Sequence, residues 1–167
     1  MNDTLLLRRS VLARTDSMLF RLTSAILAVI IVVGFAVQGL ADTFRGVLLL
    51  QLHPARLITD FSAVAGPGAA MVNAALVALI GLFLLRVNRI QMSGPAIAVV
   101  YTMLGFGLFG KTPLNVGPII LGVLLSAKLV GKKFNQYILI ALFGTALAPV
   151  VSTIAIELSV GALAWPL

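Results

Sequence analysis

The sequence predicts an all-α protein: a polytopic transmembrane helical bundle with about four or five membrane segments. Three observations predict it. Sixty per cent of the residues are hydrophobic and only ten per cent charged, which excludes an ordinary soluble domain. The basic residues behind the net charge of +7 stand at the ends of apolar runs, the pattern of membrane topology rather than of nucleic-acid binding. Finally, residues 105–122 place a polar, Gly/Pro-rich tip between two apolar runs that are short for a crossing, which marks an interrupted or re-entrant helix pair.

All 167 residues read as one membrane-embedded unit. Residues 1–21 carry Arg8, Arg9, Arg14 and Arg21 among leucines, with Leu5, Leu12 and Leu19 at intervals of seven. This segment is expected to lie as a basic amphipathic element on the cytoplasmic surface. Residues 22–40 are nineteen without a charge, enough to span. Gly39-Leu40-Ala41 has the small-x-small form of a signal cleavage site. The long basic lead and the length of the apolar run instead favour a retained helix.

Between Ala41 and Phe61 the chain is mixed, and Leu52–Phe61 reads as a Pro-initiated helix in which Arg56 and Asp60, four apart, pair along one face. His53 is a candidate proton carrier or an interfacial cap. Residues 66–85 form the next span, closed by Arg86 and Arg89. Gly66, Ala70, Ala74 and Ala78 recur every four residues and predict a smooth face for close helix packing. Asn73 is the one strongly polar side chain within that span, expected either to line a path or to bond across a helix interface.

The interrupted pair follows. Its limbs, residues 95–110 and 117–130, have sixteen and fourteen residues, or ~24 and ~21 Å of helix against a hydrocarbon core of ~30 Å. The tip between them, Lys111 to Asn115, offers a fixed positive charge beside donors and acceptors. A helix starting near Gly117 would turn its N-terminal N–H groups toward that tip and favour an anion or a polar neutral solute. The candidate binding residues are therefore Gly110, Lys111, Thr112, Pro113, Asn115, Gly117 and Pro118, with Asn73, His53, Arg56 and Asp60. A last span is expected over residues 136–158 with a kink at Pro149, and residues 161–167 look like the start of an uncompleted element.

With the N-terminus inside, nine basic residues fall on the inner side and three (Arg45, Arg56, Lys111) on the outer side. That predicts a cytoplasmic N-terminus and an external C-terminus. Enzyme chemistry is not expected. There is no Cys, one His and five carboxylates, with no metal-ligand spacing and no phosphate-binding loop ending in Lys-Ser/Thr. Gly105-x-Gly107-x-x-Gly110 matches a dinucleotide fingerprint in form alone, because no βαβ unit surrounds it. No cofactor or metal is expected.

Two segments carry a resemblance. Leu52-His-Pro-Ala-Arg-Leu-Ile-Thr-Asp-Phe61 and Phe109-Gly-Lys-Thr-Pro-Leu-Asn-Val-Gly-Pro-Ile119 resemble signatures of a bacterial multi-pass membrane family known only as a domain of unknown function. The resemblance covers roughly residues 47–152 and implies an inner-membrane location, with longer members built of two related halves. At fold level the chain is also similar in outline to half-repeats of bacterial urea transporters, which combine spans with a short membrane-dipping helix. The expected function is one repeat of a transporter or channel for a small polar or anionic solute. The alternative is a membrane scaffold that binds partner helices through the small-residue face and moves nothing. The expected partners are the lipid bilayer and a second copy or related half, with the polar tips meeting at a shared axis, and no nucleic acid.

Overall fold

The computed structural model describes residues 2–53 and 59–163, and every element among them is helical. The first helix, α1 (Asn2–Gln38), runs unbroken for 37 residues. No proline or glycine precedes Gly34, so nothing stops the helix between its basic first half and its apolar second half. The basic segment expected as a separate surface element is instead the beginning of this helix. Gly39, at φ 83°, turns the chain, and α2 (Leu40–Leu52) follows.

Half of the Pro-initiated helix expected over residues 52–61 falls on residues 54–58, which lie outside the described residues, and its described ends belong to other elements. Leu52 closes α2, whose C-cap is His53, and a short α3 (Phe61–Ala65) begins after Asp60. The Asp60 carboxylate accepts from the backbone N–H groups of Ser62 and Ala63, at 2.9 and 3.4 Å, so it caps a helix. Arg56, its expected partner, lies outside the described residues.

The molecule is built around α4 (Pro67–Val87), which packs against α1, α2 and α3 and against the later helices. Gly66 at φ 88° and Pro67 in the first turn start it. Its small residues let neighbouring backbones come close. A Cβ on Gly34 of α1 would stand 2.8 Å from the Gly68 carbonyl oxygen, and one on Gly46 of α2 would stand 2.6 Å from the Ala69 Cβ. Gln38 clasps this junction: its Nε2 donates to the Ala65 carbonyl at 2.7 Å and its Oε1 accepts from the Ala69 N–H at 3.0 Å. The stripe expected to receive a partner helix is covered from within. Ala70 packs with Leu50 and Phe61, Ala74 meets Gly107, and Ala78 joins the main core with Leu27, Val99 and Met103.

Beyond α4 come α5 (Gly94–Phe106) and α6 (Pro113–Leu129). The span expected over residues 136–158 is divided into a 3-10 turn (Phe134–Gln136), α7 (Ile138–Gly144), a second 3-10 turn (Thr145–Leu147) and α8 (Ala148–Leu163). Pro149 therefore sits in the first turn of α8, where its missing N–H is harmless, and the break falls before it. Gly81 of α4 faces Met103 of α5 and Leu142 of α7, while Asn115 and Ile119 of α6 lie against Ser152 and Gly144. So α5 rises antiparallel to α4, α6 returns, and α7 rises between the two limbs, packing on both. The pair is a V with α7 in its mouth.

Val11–Gln38 and Pro67–Val87 are long and apolar enough to cross a membrane. The remaining apolar helices are shorter. Val29, Val32, Val37, Leu40, Leu114 and Leu129 all present more than half of their surface outward.

Candidate functional site

The turn between α5 and α6 lies against the second turn of α4, about 9 Å inside that helix from Pro67. Its backbone is wound tightly. The N–H groups of Leu108, Phe109 and Lys111 donate to Gly105 and twice to Phe106, at 3.0–3.2 Å. Gly107 is required here, because a Cβ would stand 2.5 Å from the Ala74 Cα. Gly110, at φ 91°, supplies the left-handed residue that turns the chain into α6.

Three neighbours hold this turn. The Phe61 N–H donates to the Leu108 carbonyl at 3.2 Å, and Asp60 bridges Phe109 in antiparallel fashion. Asn73, wholly buried, spends its amide on the turn: Nδ2 donates to the Gly107 and Lys111 carbonyls at 2.7 and 2.9 Å. Its Oδ1 accepts from Gln51 Nε2 at 3.1 Å. Asn73 thus bonds across elements. The Gln51 amide also donates to the Val47 carbonyl, and its Oε1 is a buried acceptor with no partner among the described residues.

The start of α6 differs from the expectation. The helix begins at Pro113, four residues earlier than Gly117, because Thr112 and Asn115 form a reciprocal capping box. Asn115 N–H donates to Thr112 Oγ1 at 3.3 Å, and Thr112 N–H donates to Asn115 Oδ1 at 2.8 Å. Asn115 Nδ2 donates to the Gly110 carbonyl and to Ser152 Oγ of α8. Thr112 and Asn115 are therefore occupied in building the turn, and Leu114 supplies the first-turn N–H outside the exchange. Gly117 and Pro118 lie inside α6, away from the tip, with Pro118 removing a donor that the Leu114 carbonyl would otherwise receive.

Lys111 is the remaining group. Its side chain is fully buried, its Nζ donates to Thr145 Oγ1 at 3.0 Å, and the ammonium stands 5.2 Å from the Phe106 ring centroid. Thr145 in turn donates to the Leu142 carbonyl. Among the described residues no carboxylate lies within ion-pair distance of Lys111. An ammonium carries three donors, and this surrounding supplies one hydrogen-bond acceptor and one ring face. Lys111 and Asn115 are both enclosed by the chain's own helices in this conformation, while Leu114 between them faces outward. His53 remains at the end of α2, half-buried, its N–H donating to the Leu49 carbonyl.

Thr145, Ser152, Gln51 and Phe106 complete the cluster and were not singled out from sequence. Thr145 and Ser152 flank the α7–α8 break, where Gly144 and Pro149 gave the available signal. The sequence offers no signal for Gln51 beyond its place after the apolar run Val47 to Leu50.

These features define an all-α protein of apolar helices in which two interrupted helical segments share one buried polar cluster. The chain belongs to the family described as Protein of unknown function (DUF1576), whose model matches residues 40–165, from α2 into the last described helix and beyond it. No curated protein and no solved structure matches, so the outline shared with urea-transporter half-repeats gains no support there.

Proposed function

We propose that this chain is a multi-pass unit of a bacterial inner membrane that binds a small polar or anionic solute at Lys111 and lets it pass. The observation that carries this reading is the buried, carboxylate-free Lys111 ammonium at the junction of the two breaks. Burying an ammonium costs on the order of several kcal/mol after relaxation, and a single hydroxyl with a ring face offsets only part of it. An apolar side chain of similar length would serve stability better. The charge is retained for something that pairs with it, and an anion or a strong hydrogen-bond acceptor fits the two unused donors.

Irregular backbone at membrane depth is tolerated where it is buried in protein or lines a cavity, and the 107–112 turn fits that pattern. In the described conformation Lys111 is closed off, so passage requires the α5–α6 V to move against α7 and α8. The contacts that would have to yield are Lys111–Thr145 and Asn115–Ser152.

The charge arrangement supports a cytoplasmic N-terminus and an external C-terminus. Asp16, Arg86 and Arg89 line one cavity, so the basic half of α1 and the end of α4 share one end of the molecule. A second copy, or a related half, would cover the exposed apolar faces. The scaffold alternative is weakened, since Ala70, Ala74 and Ala78 are already buried within one chain.

Binding is tested by thermal unfolding of the detergent-solubilised protein against formate, nitrate, phosphate, urea and glycerol. At least one solute should raise the midpoint of the wild type and leave Lys111→Met unmoved. No response to any of them, or equal responses in both proteins, would remove the Lys111 site.

A further inference from the structure

At the opposite end from the Lys111 cluster, a cavity of about 380 Å³ is lined by Asp16 of α1, Arg86 at the end of α4, and Arg89, Ile90 and Gln91 of the turn into α5. We infer that this cavity is a binding site for a phosphate-bearing anion, and that in the membrane its occupant is the headgroup of an anionic phospholipid.

The two guanidinium groups have no carboxylate within ion-pair distance among the described residues. Arg86 is held over the Phe20 ring, 5.2 Å from its centroid, which fixes its direction without neutralising it. Asp16 is the acid in the lining, and its Oδ1 accepts from the Met92 N–H at 2.6 Å. That short bond commits the carboxylate to tying the turn onto α1. The lining keeps a net positive charge of one, two arginines against one aspartate.

Arg89 is the telling residue. It sits just past the end of α4 at φ 57°, the one described non-glycine residue with positive φ, and the Ile90 N–H closes the turn on the Leu85 carbonyl at 2.9 Å. Glycine or asparagine ordinarily fills that position, because other side chains are strained there. The dipole at the end of α4 favours a cation nearby, and Arg86 in the last turn already answers it. An arginine at the left-handed position adds strain and a second like charge, and the gain lies in aiming a second guanidinium at the same opening. Two guanidiniums and the Gln91 amide line one opening, and an arginine can hold a phosphate by paired N–H donors. Basic pockets between helices at the cytoplasmic end of a membrane protein are suited to anionic headgroups.

The test uses the full-length protein in a neutral detergent, with thermal unfolding followed as phosphatidylglycerol, phosphatidylcholine or inorganic phosphate is added. The variants are Arg89→Gly and Arg86→Gln. Glycine relaxes the φ of residue 89, so Arg89→Gly should unfold no earlier than the wild type without lipid. The expected result is stabilisation of the wild type by phosphatidylglycerol and not by phosphatidylcholine. Half-maximal stabilisation should need about fivefold more lipid in each variant. Inorganic phosphate acting as strongly as phosphatidylglycerol, with the same loss in both variants, would keep the site and make free phosphate its occupant. The inference is overturned if neither anion stabilises the wild type, or if both variants respond as the wild type does.

Discussion

Lys111 and Thr145 meet at 3.0 Å, and through that one hydrogen bond the break between α5 and α6 is joined to the break between α7 and α8. The two residues are brought together by α7 rising inside the α5–α6 V. Each lies in backbone that has left the α-helix.

Thr145→Val should therefore destabilise the fold by about 2–4 kcal/mol, because it leaves a buried ammonium without its acceptor. Lys111→Met should be neutral or stabilising, and should absorb most of the Thr145→Val effect when the two are combined. A double-mutant cycle by unfolding in mild detergent measures this coupling. Additive behaviour would mean that the bond carries no energy.

Glycines around the turn separate into two kinds. Gly107→Ala would drive a methyl group into the α4 backbone at Ala74 and should cost about 1–3 kcal/mol. Gly117→Ala, within α6 and with open space at its Cβ, should stabilise by about 0.5–1 kcal/mol. Midpoints of thermal unfolding for the two variants should lie on opposite sides of the wild type.

Orientation is checked at two exposed positions near opposite ends of α4. Ser93 precedes α5 and makes no side-chain cap bond, and Asp42 lies in the first turn of α2. With a membrane-impermeant maleimide on intact spheroplasts, Asp42→Cys should label at once and Ser93→Cys only after lysis. The reverse order would place the N-terminus outside.

Much of this architecture was readable before the fold was known, and the failures have physical causes. The interruption at 105–122 was visible because glycine, proline and a polar tip have few uses inside an apolar run. Asn73 stood out as a lone polar side chain, yet its partners are the Gly107 and Lys111 carbonyls, and backbone acceptors leave no mark in a sequence. The start of α6 was misplaced because the glycine at 117 and proline at 118 look like breakers. Thr112-Pro113-Leu114-Asn115 is a capping sequence whose reciprocal bonds prevail over them. The basic charges of α1 suggested a separate surface segment, whereas the absence of any breaker before Gly34 decides for one helix. Thr145 was one hydroxyl among many, and only the packing of α7 against α5 and α6 selects it.

The central claim is that Lys111 is kept for a solute and not for the fold. Its most direct test is stopped-flow light scattering of proteoliposomes carrying wild type or Lys111→Met, challenged with gradients of formate, nitrate, urea and glycerol. The account predicts solute entry above that of empty liposomes for the wild type with at least one of these, and its loss in a Lys111→Met protein that is at least as stable in detergent. Equal entry in both proteins, or a variant that fails only because it unfolds, would contradict it.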